Sequence, residues 1–234
     1  MNLPMQSTLV AAACLLPLSA GAAPVNPTPN AADLLTKVVQ ASRNIGPVTY
    51  TSVTVIRKNG AVIGSVSAVE KRNDKTHSVT TGRMRIEAME LGRYRYYENA
   101  GSHITYDEIK AEYSRTKDNH ADKSESFLSG IAKSLAQPKE RARLARIPVG
   151  RATIDGRPAW RISWLETDVP KDVKGPARVS VIVDCGDMLI RKFSTSFGKG
   201  DSVAVMLAYQ RQRTPFPAET FVFTPPAGAK ETAG

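Results

Sequence analysis

Apolar and polar residues alternate strictly in the stretch Trp160-Arg161-Ile162-Ser163-Trp164. Successive side chains of a β-strand point to opposite faces of the sheet, so this period of two predicts a strand with one buried face and one wetter face. Such one-sided burial is typical of antiparallel sheets. The same alternation recurs in the segments Met84 to Ala88, Val179 to Val183 and Val203 to Tyr209.

Turn signals separate these segments along the chain. They include Asn99-Ala100-Gly101, Asp155-Gly156 and Gly198-Lys199-Gly200, and glycine beside a short polar residue favours the tight turns of hairpins. The spacing of the turns predicts hairpins in series, which amounts to a meander of roughly ten strands.

Two other segments have the period of an α-helix. The first begins at Asn30, a suitable N-cap, and is expected to end near Gly46-Pro47. The second, Asp122 to Ala136, interrupts the meander and is expected to end near Pro138. The apolar stripe of the first helix consists of Leu34, Leu35, Val38, Val39 and Ile45, and that of the second consists of Phe127, Leu128, Ile131 and Leu135.

A large sheet with one apolar face needs a cover, and the two amphipathic helices can supply it. We therefore predict an α+β fold, in which a mainly antiparallel sheet coils into an unclosed β-barrel. The N-terminal helix and a helical insertion at about residues 121–146 cover it. We expect a single domain at residues 30–230, since no linker or internal repeat divides the chain. The pattern leaves open whether the space between sheet and helices is a cavity or a filled core.

The first 23 residues indicate export from the cytoplasm. They contain no charged residue, and the apolar run from Leu9 to Leu18 is followed by small residues that suit the cleavage site of a signal peptide. We expect residues 1–23 to be removed, residues 24–29 to be a leader, and the mature protein to be exported. No later stretch of eighteen or more apolar residues occurs in the sequence, which excludes an integral membrane protein with a spanning helix.

The chain of 234 residues is basic, with 32 Lys and Arg against 22 Asp and Glu and a formal net charge of +10. Exposed cations beside an amphipathic helix are attracted to anionic membranes or acidic partner surfaces. The alternative is that the charge serves solubility alone. A basic cluster beside the insertion consists of Lys139, Arg141, Arg143, Arg146 and Arg151.

No pattern of catalytic or metal-binding residues stands out in the sequence. His77, His103 and His120 lie far apart and lack the spacing of zinc ligands. A nucleophile elbow, a P-loop and a dinucleotide-binding fingerprint are missing from the sequence. Asp184 and Asp187 flank Cys185-Gly186, where a turn is the expected structure. We therefore predict that the protein is not an enzyme and has no cofactor or metal site.

Tyrosines alternate with arginines from Arg93 to Tyr96, a mixture that can stack single-stranded nucleic acid. Because an exported protein rarely meets that ligand, we expect no nucleic acid partner. Alternation places Tyr94 and Tyr96 on one face and Arg93 and Arg95 on the other. The two tyrosines are then either half-buried residues whose hydroxyls reach water or part of a cavity lining.

The order of these elements resembles the LolA/LolB lipoprotein-carrier superfamily: a helix, a meander, a helical insertion and returning strands. The most specific match is Phe221-Val222-Phe223-Thr224-Pro225-Pro226-Ala227-Gly228, which resembles the closing strand of that superfamily and the Pro-Pro-x-Gly after it. Gly64 to Arg72 resembles a second or third strand that ends in a basic pair. Asn99 to Tyr106 resembles a turn and the strand after it.

The resemblance implies an unclosed antiparallel barrel around a helical lid. It also implies an apolar cavity that holds the acyl chains of lipoproteins crossing the periplasm. By position, the arginine that latches the lid in this superfamily would be Arg72. The alternative for Arg72 is a solvated cation at the end of a strand.

We predict a periplasmic carrier or binding protein for lipidated proteins or lipid acyl chains. The expected partners are acyl chains, a membrane-bound donor or acceptor protein and, transiently, the membrane surface; we expect a monomer. The alternative is an envelope sensor or accessory module that binds a protein partner with the same fold, as RseB-like proteins do. The predicted lid residues are Phe127, Leu128, Ile131 and Leu135. The predicted cavity lining is Met84, Ile86, Tyr94, Tyr96, Trp160, Ile162, Trp164, Leu207 and Tyr209.

Overall fold

A computed structural model describes residues 28–74, 76–87, 89–117, 127–166, 176–198 and 200–232. The predicted signal peptide, His120 and the first residues of the predicted insertion lie outside this part of the chain. The elements, in chain order, are α1 (Ala31–Arg43), β1 (Val48–Lys58), β2 (Ala61–Arg72), β3 (His77–Ile86), β4 (Met89–Asn99), β5 (Ser102–Asp107), β6 (Glu112–Lys117), α2 (Phe127–Ala136), α3 (Pro138–Ala145), β7 (Val149–Ile154), β8 (Arg157–Glu166), β9 (Ala177–Asp184), β10 (Ile190–Phe197), β11 (Asp201–Arg211), a 3₁₀-helix (Ala218–Phe221) and β12 (Lys230–Thr232).

The strands form one sheet in the order β12-β6-β5-β4-β3-β2-β1-β11-β10-β9-β8-β7. Neighbouring strands are antiparallel, except that β12 pairs in parallel with β6. The two halves of the meander meet where β11 returns beside β1. In the described residues, the two ends of the sheet, β12 and β7, do not pair with each other, so the barrel is unclosed, and the predicted fold class is confirmed. The described residues form twelve strands where roughly ten were expected.

Helix α1 forms as its sequence predicts. The side chain of Asn30 accepts a hydrogen bond of 2.9 Å from the backbone N–H of Asp33, which satisfies one of the unpaired donors at the helix start. Leu34, Leu35 and Val38 are fully buried. The helix ends at Arg43, before Gly46 takes a positive φ, so Ile45 lies beyond it and packs with β1 instead.

The helices cover one half of one sheet face, which we call the inner face. It is the face that carries Trp160 and Ile162, and these residues pack against α1 in the hydrophobic core. Neighbouring positions of β9 belong to the same core, and α2 and α3 each add one buried residue to it. The core members outside α1 are Ile131, Leu144, Trp160, Ile162, Val181, Val183 and Ile190.

The predicted insertion contains two helices, where the sequence pattern indicated one. Helix α2 ends at Ala136, and Pro138 then occupies the first turn of α3. Proline is tolerated there because the first N–H groups of a helix have no partner within the helix. Proline therefore starts a new helix at the place where we expected the inserted helix to stop. Within the described residues, no helix is long and apolar enough to cross a membrane.

The expectation of a closing strand at Phe221-Val222-Phe223 is wrong. Phe221 ends the 3₁₀-helix, and the next residues run without pairing to a strand. Prolines flank this segment and remove backbone donors that a ladder would need. The segment Phe216 to Phe223, here called the C-terminal strap, lies instead across the outer face of the sheet. The last strand is β12, which pairs with β6.

Aromatic side chains hold the C-terminal strap on the outer face. The ring of Phe223 lies 5.2–5.7 Å from the rings of Tyr97, Tyr106 and Tyr113 on β4, β5 and β6. Asn73 fixes the other end, since its side-chain amide accepts from the backbone N–H of Phe216 at 2.7 Å and donates to its carbonyl at 2.9 Å. A polar side chain after β2 thus serves as a substitute for a ladder partner.

Candidate functional site

The pairing register places all nine predicted lining residues on the inner face. Directly paired residues of neighbouring strands point to the same face. Ile162 pairs with Val181, Val181 with Phe193, and Phe193 with Val205. The series continues through Thr54 and Val66 to Met84 and Gly92. The other lining residues lie an even number of positions from these on the same strands: Ile86, Tyr94, Tyr96, Trp160, Trp164, Leu207 and Tyr209.

The nine residues range from covered to open, and the three tyrosines among them are half-buried. Trp160 and Ile162 are buried under α1, where the space between sheet and helices is filled. Trp164 and Leu207 are half-buried and pack at the margin of that core. Met84 and Ile86, on the other half of the sheet, are 41% and 45% exposed. The open part of the inner face therefore begins beyond Leu207.

The open part of the inner face contains two apolar rows. One row runs from Val205 through Thr54 and Val66 to Met84. The next runs from Val203 through Ile56 and Gly64 to Ile86. Met84 and Ile86 are exposed at one end of these rows, and the valines and Ile56 are half-buried. Contiguous apolar side chains that reach the solvent in this way are typical of a surface that contacts something apolar.

A polar row lies beyond these apolar rows on the inner face, separated from them by the row of Leu207, Ser52, Ala68 and Gly82. The hydroxyl of Tyr50 donates a hydrogen bond to the carboxylate of Glu70, and Thr80 donates to the same carboxylate at 3.4 Å. Arg72 lies 3.9 Å from Glu70 and over the ring of Tyr50. Burial raises the pKa of the Glu70 carboxyl, although its hydrogen bonds and Arg72 act in the opposite direction. Burial also raises the pKa of Tyr209 to about 12.

Gly82 allows Tyr94 to lie flat on the inner face. The two residues are directly paired across β3 and β4. A Cβ atom at position 82 would lie 2.2 Å from the Tyr94 ring, so any other residue would displace the tyrosine. The sequence signal was a glycine opposite an aromatic residue in adjacent strands, an arrangement known to stabilise sheets. It could be recognised only once the register was known.

The predicted lid helix rests mainly on other helices. Helix α2 packs against α1 and α3. Ile131 is buried in the core and Leu135 packs against it, whereas the side chains of Phe127 and Leu128 lie outside the described structure. Arg72, the predicted latch, contacts Glu70 and Tyr50 on its own half of the sheet. A latch between Arg72 and the lid stays a prediction.

Several charged residues elsewhere are paired in local groups. In the predicted basic cluster, Arg141 pairs with Asp33 at 3.6 Å and Arg143 with Glu140 at 2.8 Å. The predicted turn at Asp184 to Asp187 forms, and the Asp184 carboxylate accepts from the backbone N–H of Gly186 at 2.8 Å. In the described ranges there is no group of three or more histidine, cysteine, aspartate or glutamate residues that could hold a metal ion.

A pocket of about 210 Å³ lies on the outer face, opposite the predicted cavity. Its walls come from β2, β3, β4 and the C-terminal strap. The lining residues are Val69, Lys71, Val79, Thr81, Arg95, Tyr97 and Thr220. Sequence analysis did not predict it, because its shape depends on where the strap lies.

No protein-family model matches the chain, and no curated protein is significantly similar to it. Among solved structures, LprF from Mycobacterium bovis is 14% identical with a TM-score of 0.47 over 80% of this chain and 97% of that chain. A LolA superfamily protein from Nitrosomonas europaea is 8% identical with a TM-score of 0.40 over 83% and 98%. MucB in the MucA/MucB complex of Pseudomonas aeruginosa is 14% identical with a TM-score of 0.41, and the alignment covers 83% of this chain and 61% of that chain. The layout found here, an unclosed antiparallel sheet with a helical cover over one half, agrees with the architecture that the sequence resemblance implied.

Proposed function

We propose that the protein binds the acyl chains of lipidated proteins or of other lipids on the open part of its inner face and carries them through the periplasm. The observation that supports this proposal is the pair of apolar rows that end at Met84 and Ile86, beyond the helical cover. Transfer of an acyl chain into water costs about 0.8 kcal/mol per CH₂ group, so a soluble carrier needs an extended apolar surface of this kind.

The order of the rows fits an amphiphile in one orientation. The acyl chain would lie along the apolar rows, and its polar end would face the row of Tyr50, Glu70 and Thr80. A site that is apolar with a few convergent polar groups is the usual composition of a ligand site. Helix α2 would act as the lid, and cleavage of residues 1–23 would release the protein into the periplasm, where it touches membranes transiently.

Replacing Met84 with aspartate is expected to reduce the affinity for the fluorescent fatty acid cis-parinaric acid at least tenfold. A carboxylate in an apolar contact loses hydration without gaining a partner, which costs several kcal/mol. Met206→Asp is the matched control, because Met206 lies on the outer face and is 44% exposed against 41% for Met84. Fluorescence titration of the mature protein and both variants measures the effect.

Both variants are expected to keep the thermal stability of the wild type within a few degrees, since both side chains are already substantially exposed. Equal affinity of the two variants would contradict binding on the inner face. Native mass spectrometry of the protein from periplasmic extracts addresses the alternative function. Co-purified lipid supports the carrier, and a stoichiometric protein partner without lipid supports the sensor or accessory module.

The lid proposal predicts that backbone amides from Gly130 to Leu135 exchange with solvent faster than those from Val179 to Val183. Helix α2 packs on two other helices, whereas β9 lies between two hydrogen-bonded strands, and elements with few anchoring contacts open first. Added cis-parinaric acid should slow exchange in α2 and leave β9 unchanged. Hydrogen exchange with mass spectrometry tests this. Equal protection of α2 and β9, unchanged by cis-parinaric acid, would exclude a movable lid.

A further inference from the structure

Strand β7 forms one edge of the sheet. It pairs with β8, and no strand of the described residues lies on its other side. At the opposite edge, β12 from the C-terminal tail pairs with β6. An unpaired edge is a template for an added strand, and proteins normally shorten it, cover it or charge it. The edge of β7 spans six residues, Val149 to Ile154, without a proline.

The hairpin turn determines which backbone groups of β7 point outward. Ile154 and Arg157 are paired, and the two residues between them, Asp155 and Gly156, both have positive φ values of 49° and 74°. These values define a type I′ turn, in which the flanking pair exchanges both hydrogen bonds. Hydrogen-bonded pairs alternate along an antiparallel ladder. Gly150, Ala152 and Ile154 therefore bond to β8.

It follows that the N–H and C=O groups of Val149, Arg151 and Thr153 point away from the sheet. The position of Pro158 agrees with this register, because it pairs with Thr153 and a proline cannot donate to a neighbouring strand. The side chains of Arg151 and Thr153 are exposed. Within the part of the chain that the structure describes, the outward edge thus offers three residues whose backbone donors and acceptors pair with no other strand.

The edge is flanked by positive charge on both faces. Residues 146–161 contain four arginines and one aspartate. Arg151 lies on the inner face over the ring of Trp160 at 5.8 Å. Arg161 lies on the outer face, opposite Gly150, and is exposed. Arg157 is also on the outer face, where its charge is shared with Asp184 at 3.2 Å.

We propose that β7 is a docking edge for an extended acidic segment of a partner protein, which adds to the sheet as a further strand. Main-chain hydrogen bonds with Arg151 and Thr153 would supply affinity that is independent of sequence. Alternate side chains of such a strand point to opposite faces. Acidic residues on either face would therefore meet Arg151 or Arg161, which selects acidic segments over neutral or basic ones. This inference goes beyond acyl-chain binding and does not depend on it.

The test uses the mature protein and a fluorescein-labelled ten-residue peptide of alternating glutamate and valine, with a lysine–valine peptide as the charge control. Fluorescence anisotropy should detect binding of the acidic peptide only, and added salt should weaken it. Hydrogen exchange should show new protection of the Arg151 and Thr153 amides. The amides of Gly150 and Ala152 are already bonded to β8 and should change little.

Two variants separate the backbone contribution from the charge contribution. Thr153→Pro removes an outward N–H donor without removing a hydrogen bond to β8. It should lower the affinity for the acidic peptide about tenfold or more. Arg161→Glu should lower the affinity for the acidic peptide by a similar factor, whereas Arg83→Glu should leave this affinity unchanged. Arg83 is the matched control, because it is also an exposed arginine on the outer face of a strand but lies on β3.

Three results with the peptides would overturn the proposal. The first is that neither peptide binds. The second is binding of the acidic peptide without protection of any β7 amide. The third is equal loss of binding in Arg161→Glu and Arg83→Glu, which would show attraction to the overall charge. Should anionic phosphatidylglycerol vesicles, and not the peptide, respond to Arg161→Glu, the basic edge would be a membrane contact instead. The acyl-chain proposal is unaffected by any of these results.

Discussion

Replacing Arg191 with alanine is expected to lower the free energy of unfolding by about 3 to 5 kcal/mol, because it removes one partner of a buried ion pair. The side chains of Arg191 and Asp184 are only 6% and 5% exposed, and their Nε and Oδ2 atoms are 3.3 Å apart. The guanidinium also pairs with Asp187 and lies over the ring of Tyr209 at 5.1 Å. The variant would leave Asp184 buried with one less cation.

The ionisation of the Asp184 carboxyl determines how the loss of stability in Arg191→Ala depends on pH. Burial alone would raise the pKa of its carboxyl, but the N–H of Gly186 and the charges of Arg157 and Arg191 outweigh it, so the pKa lies below the usual range. A group with a depressed folded pKa contributes stability above its unfolded pKa of about 3.9, and this stability is lost as the pH falls through the folded value. The difference in the free energy of unfolding between the wild type and Arg191→Ala should therefore become smaller as the pH falls.

Urea unfolding at pH 7 and at pH 3 measures both effects. Arg178→Ala is the control, since Arg178 is an exposed arginine of β9, and its loss should cost no more than about 0.5 kcal/mol. A cost for Arg191→Ala close to that of Arg178→Ala would show that the buried pair contributes little. An unchanged difference at pH 3 would show that Asp184 is not the group through which Arg191 acts.

Alternation in the sequence was sufficient to predict the faces of the strands. Tyr94 and Tyr96 lie on the inner face and Arg93 and Arg95 on the outer one, as a period of two requires. The same reasoning brought residues from β3, β4, β8 and β11 together on one face, although they lie far apart in sequence. Binding of a ligand there stays a prediction, because a shared face does not by itself make a site.

The extent of the helical cover could not be predicted from the sequence. An apolar stripe shows that a helix packs against something, but not which part of the sheet it covers. Trp160 and Ile162 have the same pattern as Met84 and Ile86, yet the first pair is in the core and the second is exposed. The difference depends on contacts between elements more than sixty residues apart.

The C-terminal strap shows a second limit of local pattern. Phe221 and Phe223 alternate as strand residues do, and their partners are side chains on the outer face, such as His77 and Tyr97, instead of a neighbouring strand. Asn73 holds the strap through two hydrogen bonds across 143 residues of sequence. Neither the prolines nor the aromatic residues identify these partners, because the contacts are set by the position of the sheet and not by the strap itself.

Replacing Phe221 with alanine is expected to cost about 3 to 5 kcal/mol of stability, as truncation of a buried phenylalanine usually does. Phe221 is the largest of the fully buried side chains, with 1% exposure. Its ring lies 6.0 Å from the ring of His77 and 6.4 Å from that of Phe216, so it joins the strap to the start of β3. The cavity left behind would remove both contacts.

The adjacent residue provides a control for this prediction. Val222 is 55% exposed, and Val222→Ala should change the free energy of unfolding by no more than about 0.5 kcal/mol. Chemical denaturation of both variants gives the comparison. If Phe221→Ala is no less stable than Val222→Ala, the strap is not part of the cooperative core.

A detached strap would have its own signature. Trypsin sites at Arg211 and Arg213 precede the strap, and they should be cut faster in Phe221→Ala than in the wild type, because proteolysis reports the population of locally opened states. Tyr97, Tyr106 and Tyr113 would become exposed together, since all three contact Phe223. Faster cleavage with an unchanged unfolding midpoint would mean that the strap opens independently of the sheet. Faster cleavage with a lowered midpoint would mean that the sheet needs the strap, in which case the outer face depends on its C-terminal cover as the inner face depends on α1.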